Sequence, residues 1–296
     1  MGFDIERYLR DGKQLVDGKL NEILSSLGDS RTSLEESVRY SALSGGKRLR
    51  PILCFAACES LGGDTVKTLP AACAIEMIHT YSLIHDDLPS MDDDTLRRGV
   101  PTNHTVYGEA TAILAGDALL TDAFTVLVSE GRKAGLGESV ICDLTLDISR
   151  AAGSGGMIRG QAIDLSLEGH SSDEIRVAEM HMLKTGSLIE ASVVAGARCA
   201  GGTTEETDML RAYAAAVGLA YQIVDDVLDI EGDETGKEKG ADIRREKSTY
   251  PETVGLRNSK SKAAELTDAA LGAIESFDER AGALRALAVY LGGRTN

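Results

Sequence analysis

Leu69–Asp94 reads LPAACAIEMIHTYSLIHDDLPSMDDD. An apolar run of this length, without the alternation of a strand, predicts one long buried helix over 69–88 that stops near Pro89. Asp86, Asp87, Asp92, Asp93 and Asp94 crowd its end. The helix dipole disfavours negative charge at a C-terminus. A solvated helix end is the plain explanation of such a cluster, and a cation site is the sharper one. Outward from this helix the pattern repeats. The uncharged run YAAAVGLAYQIV leads into Asp225, Asp226 and Asp229 of DDVLD. Asp225 and Asp229 stand four apart, on one helical face, where like charges repel unless something positive lies between them. Two carboxylate clusters, each at the deep end of an apolar helix, suggest one shared cavity holding hard divalent cations, and Mg2+ suits it best. Neither cluster has the twelve-residue loop of an EF-hand.

The rest of the chain is consistent with helices. It has 296 residues, 43% of them hydrophobic, few aromatics, no tryptophan and five prolines. We expect helices over 3–27, through Ser44 from a capping box at Ser33 and Glu36, and over 51–61 behind Pro51. Further helices are expected over 107–132, 137–152, 155–168, 172–200, 204–230, 249–256, 260–275 and 278–292. The breaks at 153–156 and 231–240 are rich in glycine, and the second reads as an exposed loop. No strand ladder or linker is evident, so residues 1–296 are expected to form one all-α domain.

The net charge is −16, which disfavours nucleic acid and anionic membranes as partners. The cysteines Cys54, Cys58, Cys73, Cys142 and Cys199 are odd in number and include no CxxC pair, so reduced thiols and a cytoplasmic location are expected. No signal peptide and no membrane-spanning run are expected.

Against this acidic background, short basic groups stand beside glycines. They are Lys47, Arg48 and Arg50 in GGKRLRP, Arg97 with Arg98, Lys184-Thr185-Gly186, and Lys237, Lys239 and Lys247. They suit phosphate, with Arg giving forked contacts and Lys a point charge. No Walker A motif is present.

Taken in order, GGKRLRP, IHTYSLIHDDLPSMDDDTLRRG, GEATAILAGDALL, GMIRGQAIDL, KTGSLIEAS, GLAYQIVDDVLDIEGD and GKEKGADIRREKSTYP resemble the trans-isoprenyl diphosphate synthases over nearly the whole chain. The resemblance implies mostly antiparallel helices around a deep central cavity, normally in a homodimer. It implies head-to-tail condensation of isopentenyl diphosphate with an allylic diphosphate. Three Mg2+ per site, replaceable by Mn2+, are implied, with Asp86, Asp92 and Asp225 as ligands and Asp87, Asp226 and Asp229 supporting them. Arg97, Lys184, Thr185, Gln222, Lys237 and Lys247 match groups on the allylic diphosphate. Lys47, Arg50, His79 and Arg98 match the isopentenyl diphosphate pocket. Asp93, Asp94 and Lys239 are expected to be solvated and His85 structural.

At a rise of 1.5 Å per residue, Tyr81 would lie roughly 7.5 Å below Asp86 on its helix. A large aromatic there, beside the small Ser82, resembles enzymes that stop at farnesyl diphosphate (C15); geranylgeranyl diphosphate (C20) is the alternative. A terpene cyclase or a non-catalytic prenyltransferase subunit would share parts of the pattern. A buffering helical protein would explain the carboxylates but not the ordered basic groups.

Overall fold

A computed structural model describes residues 3–26, 32–170, 172–231 and 248–294. The helices are α1 (Ile5–Ser26), α2 (Ser33–Leu43), α3 (Leu49–Ser60), α4 (Leu69–Asp86), α5 (Asn103–Tyr107), α6 (Glu109–Lys133), α7 (Glu138–Ala152) and α8 (Met157–Leu167). They continue with α9 (Glu174–His181), α10 (Ser187–Cys199), α11 (Thr204–Glu231), α12 (Tyr250–Val254), α13 (Leu256–Ala273) and α14 (Gly282–Gly292). The all-α expectation holds.

Central α4 is buried along most of its length, from Leu69 to Ile84. It packs on α6, while α3 packs on α10 and α11 on α13. The spacing of Val16, Leu20, Ile23 and Leu24 turns one face of α1 into the same core.

Several boundaries differ from expectation for local reasons. The capping box sits one residue earlier, at Thr32 and Glu35, where each side chain meets the other's backbone N–H. The segment expected as one helix over 107–132 breaks at Gly108, whose φ of +83° ends α5 and starts α6. Leu96–Arg97 and Val100–Pro101 pair as a short antiparallel hairpin that no sequence pattern announced. Its turn residues, Arg98 and Gly99, have φ of 55° and 79°, both in the left-handed region that suits a tight hairpin. Between α9 and α10, inside the helix expected over 172–200, Met182–Gly186 forms a π turn.

By length and composition α6 meets the measure of a membrane span, with a mean hydropathy of 1.6 in its best window. A core helix of a soluble protein passes the same test. Here α6 packs against α4 and α2 and carries Asp117 and Asp122.

Candidate active site

The end of α4 brings the first aspartates together. Beyond Asp87 the chain curls back, so that Asp92 N–H donates to the Asp86 carbonyl at 2.8 Å and Asp93 N–H to the Leu88 carbonyl at 3.0 Å. Four residues between Asp87 and Asp92 are thus what the return needs to set Asp92 beside Asp86. Asp87 turns inward instead. It is buried and accepts from Arg97, whose Nε lies 2.9 Å away and whose Nη2 also donates. Burial pushes the Asp87 carboxyl up to about 6, with Asp94 and Asp86 adding to the effect and Arg97 opposing it. Burial also disfavours the Arg97 cation, but Asp87, Asp94 and Asp86 outweigh it and hold the guanidinium charged. Asp94 is not a solvated group: Arg97 Nη2 donates to it at 3.1 Å, so the hairpin carrying Arg97 is clipped to the cluster. Asp93 is exposed, with a φ of 50°.

The glycine-rich loop before α3 builds the second part. Arg48 is buried there with a φ of 51° and spends its donors inside. They reach Asp17 Oδ1, Glu76 Oε1 and the Ala42 carbonyl, each at 2.7 Å. Arg48 is therefore a brace rather than a ligand group. Arg98 Nη1 donates to the Gly45 carbonyl at 2.6 Å, and a Cβ on Gly46 would fall 2.4 Å from that nitrogen. Gly46 also has a φ of +116°, a conformation that suits glycine. Arg50 Nε is buried without a hydrogen-bond partner among the described residues. His79, half-buried on α4, is held well below its usual pKa, first by burial and then by Arg50, Arg98, Arg48 and Arg97. It is a neutral imidazole among four guanidiniums and adds no charge of its own. Lys47 is exposed, and burial of its stem with nearby Arg294 lowers its pKa.

The third part lies on the π turn and α11. Lys184 Nζ donates to Asp164 Oδ2 of α8 at 2.6 Å, and Thr185 Oγ1 donates to Gln222 Oε1 at 2.9 Å. A Cβ on Gly160 would lie 2.1 Å from the Lys184 backbone nitrogen, so α8 rests directly on this turn. Asp226 is buried and accepts from His181, Gln222 and the Tyr250 backbone. Asp225, one residue earlier, is half-exposed and accepts from Arg294 Nη2 at 2.9 Å. The Arg294 guanidinium stacks 4.8 Å above the Tyr221 ring, and its Nε and Nη1 are buried with no conventional hydrogen-bond acceptor among the described residues. Arg294 and Asp164 were missed in the sequence. Asp164 lies in the quoted GMIRGQAIDL, where it was given no role. Arg294 is a lone cation after an apolar helix and offers no pattern at all. Lys237, Lys239 and Lys247 lie outside the described residues.

Tyr81 is buried in the α4 core, its ring set edge-on to His85 at 5.7 Å and its hydroxyl without a hydrogen-bond partner among the described residues. Burial, then Asp86, pushes the phenol up to about 12. His85 bonds the Ile113 carbonyl at 3.1 Å and ties α4 to α6, a structural role.

Among the described residues no three carboxylate, histidine or cysteine groups converge as a ready-made metal cage. The donors nevertheless suit Mg2+. They are hard oxygens, and Mg2+ takes only one or two carboxylates when water and phosphate complete its shell. At Asp225 a cation, the Arg294 guanidinium, already stands against the carboxylate.

The chain as a whole is matched in known proteins. The polyprenyl synthetase model matches residues 31–286. The chain belongs to the polyprenyl synthetase family. It is 47% identical, over 89% of its length and 72% of the relative's, to a chloroplastic geranylgeranyl pyrophosphate synthase of Capsicum annuum. It is 43% identical, over 99% of its length and 80% of the relative's, to a heterodimeric geranylgeranyl pyrophosphate synthase large subunit of Arabidopsis thaliana. The crystal structure of an FPP/GFPP synthase from Zymomonas mobilis superposes with a TM-score of 0.88 at 37% identity, covering 98% of this chain and 99% of that one. As a polyprenyl synthetase, the chain is a chain-elongating prenyltransferase with the all-α isoprenoid synthase fold.

Proposed function

We propose that this polyprenyl synthetase condenses isopentenyl diphosphate with a short allylic diphosphate and releases geranylgeranyl diphosphate. The observation that carries the subsite assignment is Arg50, whose buried Nε has no partner among the described residues and which acts with Arg98 on the neutral His79. Buried donors without partners are costly, and an anionic ligand would satisfy this one. Lys47, Arg50 and Arg98 would bind isopentenyl diphosphate, and His79 would supply a neutral N–H. Lys184, Thr185 and Gln222 would hold the allylic diphosphate, with Arg97 orienting Asp87 and Asp94 nearby. Asp86, Asp92 and Asp225 would hold Mg2+, which when bound supplies the positive charge that stabilises the departing pyrophosphate. The C1–O bond of the allylic substrate breaks with its electrons leaving on pyrophosphate. The double bond of isopentenyl diphosphate then attacks C1, and a proton is lost from its C2 to the departing pyrophosphate. The apolar wall of α4 shelters the cation from water.

Both curated relatives above are named as geranylgeranyl synthases, which supports C20 over the C15 product expected from Tyr81. The buried Tyr81 ring and the likeness to a structure named as an FPP/GFPP synthase favour farnesyl diphosphate. Incubation with dimethylallyl and excess isopentenyl diphosphate, read by mass spectrometry, decides between them. C20 as the end product supports our reading; an end at C15 that lengthens in Tyr81→Met supports the aromatic floor instead. We also propose a homodimer, since Val106, Ala110, Ile113 and Leu114 leave one face of α5 and α6 apolar and exposed.

A further inference from the structure

Asp226 belongs to the second aspartate cluster, yet it faces away from solvent and every hydrogen bond it makes goes to the protein. Its Oδ2 accepts from His181 Nε2 at 2.9 Å and from the Tyr250 backbone N–H at 2.8 Å, and its Oδ1 accepts from Gln222 Nε2 at 3.3 Å. Gln222 in turn accepts from Thr185. The result is a continuous chain, His181–Asp226–Gln222–Thr185. Its two ends straddle the π turn: His181 is the residue before Met182, and Thr185 lies within the turn. A π turn is a single wide turn inside an α-helix and is seldom stable without support. Here the support comes from outside the helix, through a carboxylate on α11. Lys184 lies between the two tethers, with its ammonium on Asp164. Because a carboxylate only accepts, the Nε2 of His181 must carry the hydrogen, which sets the tautomer.

We propose that His181 is a positioning residue: through Asp226 it holds the π turn open so that Lys184 and Thr185 face the allylic diphosphate. His181 is buried, and its ring Nε2 is committed to Asp226. This rests on the assignment of Lys184 and Thr185 to the allylic subsite.

The test is a comparison of His181→Leu, His181→Gln and His181→Asn in the full chain. Binding of dimethylallyl thiolodiphosphate and of isopentenyl diphosphate is measured by calorimetry with Mg2+, together with thermal denaturation. Leu removes the donor. Gln places an amide N–H near the position of Nε2, and Asn is one methylene shorter. We expect His181→Leu and His181→Asn to weaken the allylic analogue roughly tenfold, as for loss of a hydrogen bond to a charged group. Isopentenyl diphosphate should bind as before, and His181→Gln should restore most of the allylic affinity. Equal weakening of both ligands, tracking the fall in melting temperature and not rescued by Gln, would reduce His181 to core packing and overturn the proposal. Wild-type affinity in all three variants would overturn it too. Failure of the wild-type protein to bind the allylic analogue would show that the subsite assignment itself is at fault.

Discussion

Arg48 and Asp87 show how little of a side chain's role lies in its type. Arg48 stands between Lys47 and Arg50 in one basic stretch, yet it is the one turned wholly inward, onto Asp17 and Glu76. Both Arg48 and Glu76 are nearly inaccessible, so removing one leaves the other charged and uncompensated. Arg48→Met should therefore cost about 3–5 kcal/mol of stability, measured by urea unfolding. A loss under about 1 kcal/mol would mean that Glu76 is not held by this pair. The aspartates divide in the same way. Asp86 and Asp92 are joined through a backbone bond, while Asp87 and Asp226 are committed to Arg97 and to His181. Asp86→Asn and Asp225→Asn should each lower turnover by about 10³-fold or more, since several kcal/mol of transition-state stabilisation would go with the ligand. The circular dichroism spectrum should stay unchanged. Activity within tenfold of wild type would contradict the metal assignment.

At the scale of elements, helices with long apolar faces were legible and local geometry was not. Most of α4 and the middle of α11 follow from largely apolar runs, and their acidic ends were visible as charge set against hydropathy. The π turn was not legible, because one extra residue in a helical turn leaves the apolar period almost unchanged over a short segment. The hairpin at Leu96–Pro101 has strands of two residues, too short for alternation to register. Gly160 shows what such details do for the site. A Cβ there would meet the Lys184 backbone, which no flexible side chain can relieve. Gly160→Ala should cost about 1–3 kcal/mol and weaken allylic binding, read from the melting temperature and from KM for the allylic substrate. A variant with unchanged KM would detach α8 from the positioning of Lys184.

For the whole molecule, the order of the motifs carried the family and the packing supplied the partnerships. The clusters of α4 and α11, the guanidiniums around His79 and the lysine of the π turn come from distant parts of the chain. Their linkage through Arg97, Asp164 and Arg294 depends on tertiary contacts and could not be read from spacing. The exposed apolar face of α6 belongs to this scale as well. Leu114→Glu places a charge on it and should convert a dimer to monomers in sedimentation velocity, with little change in helix content. A wild-type protein that sediments as a monomer would refute the homodimer.

On this reading, two aspartate clusters and a guanidinium pocket serve one condensation. Its most direct test is to mix the protein with dimethylallyl diphosphate and Mg2+, with and without isopentenyl diphosphate, and to follow pyrophosphate and prenyl products together. Pyrophosphate release should require isopentenyl diphosphate and match, mole for mole, the five-carbon units added. Pyrophosphate released equally without isopentenyl diphosphate, or a hydrocarbon with no diphosphate, would contradict it.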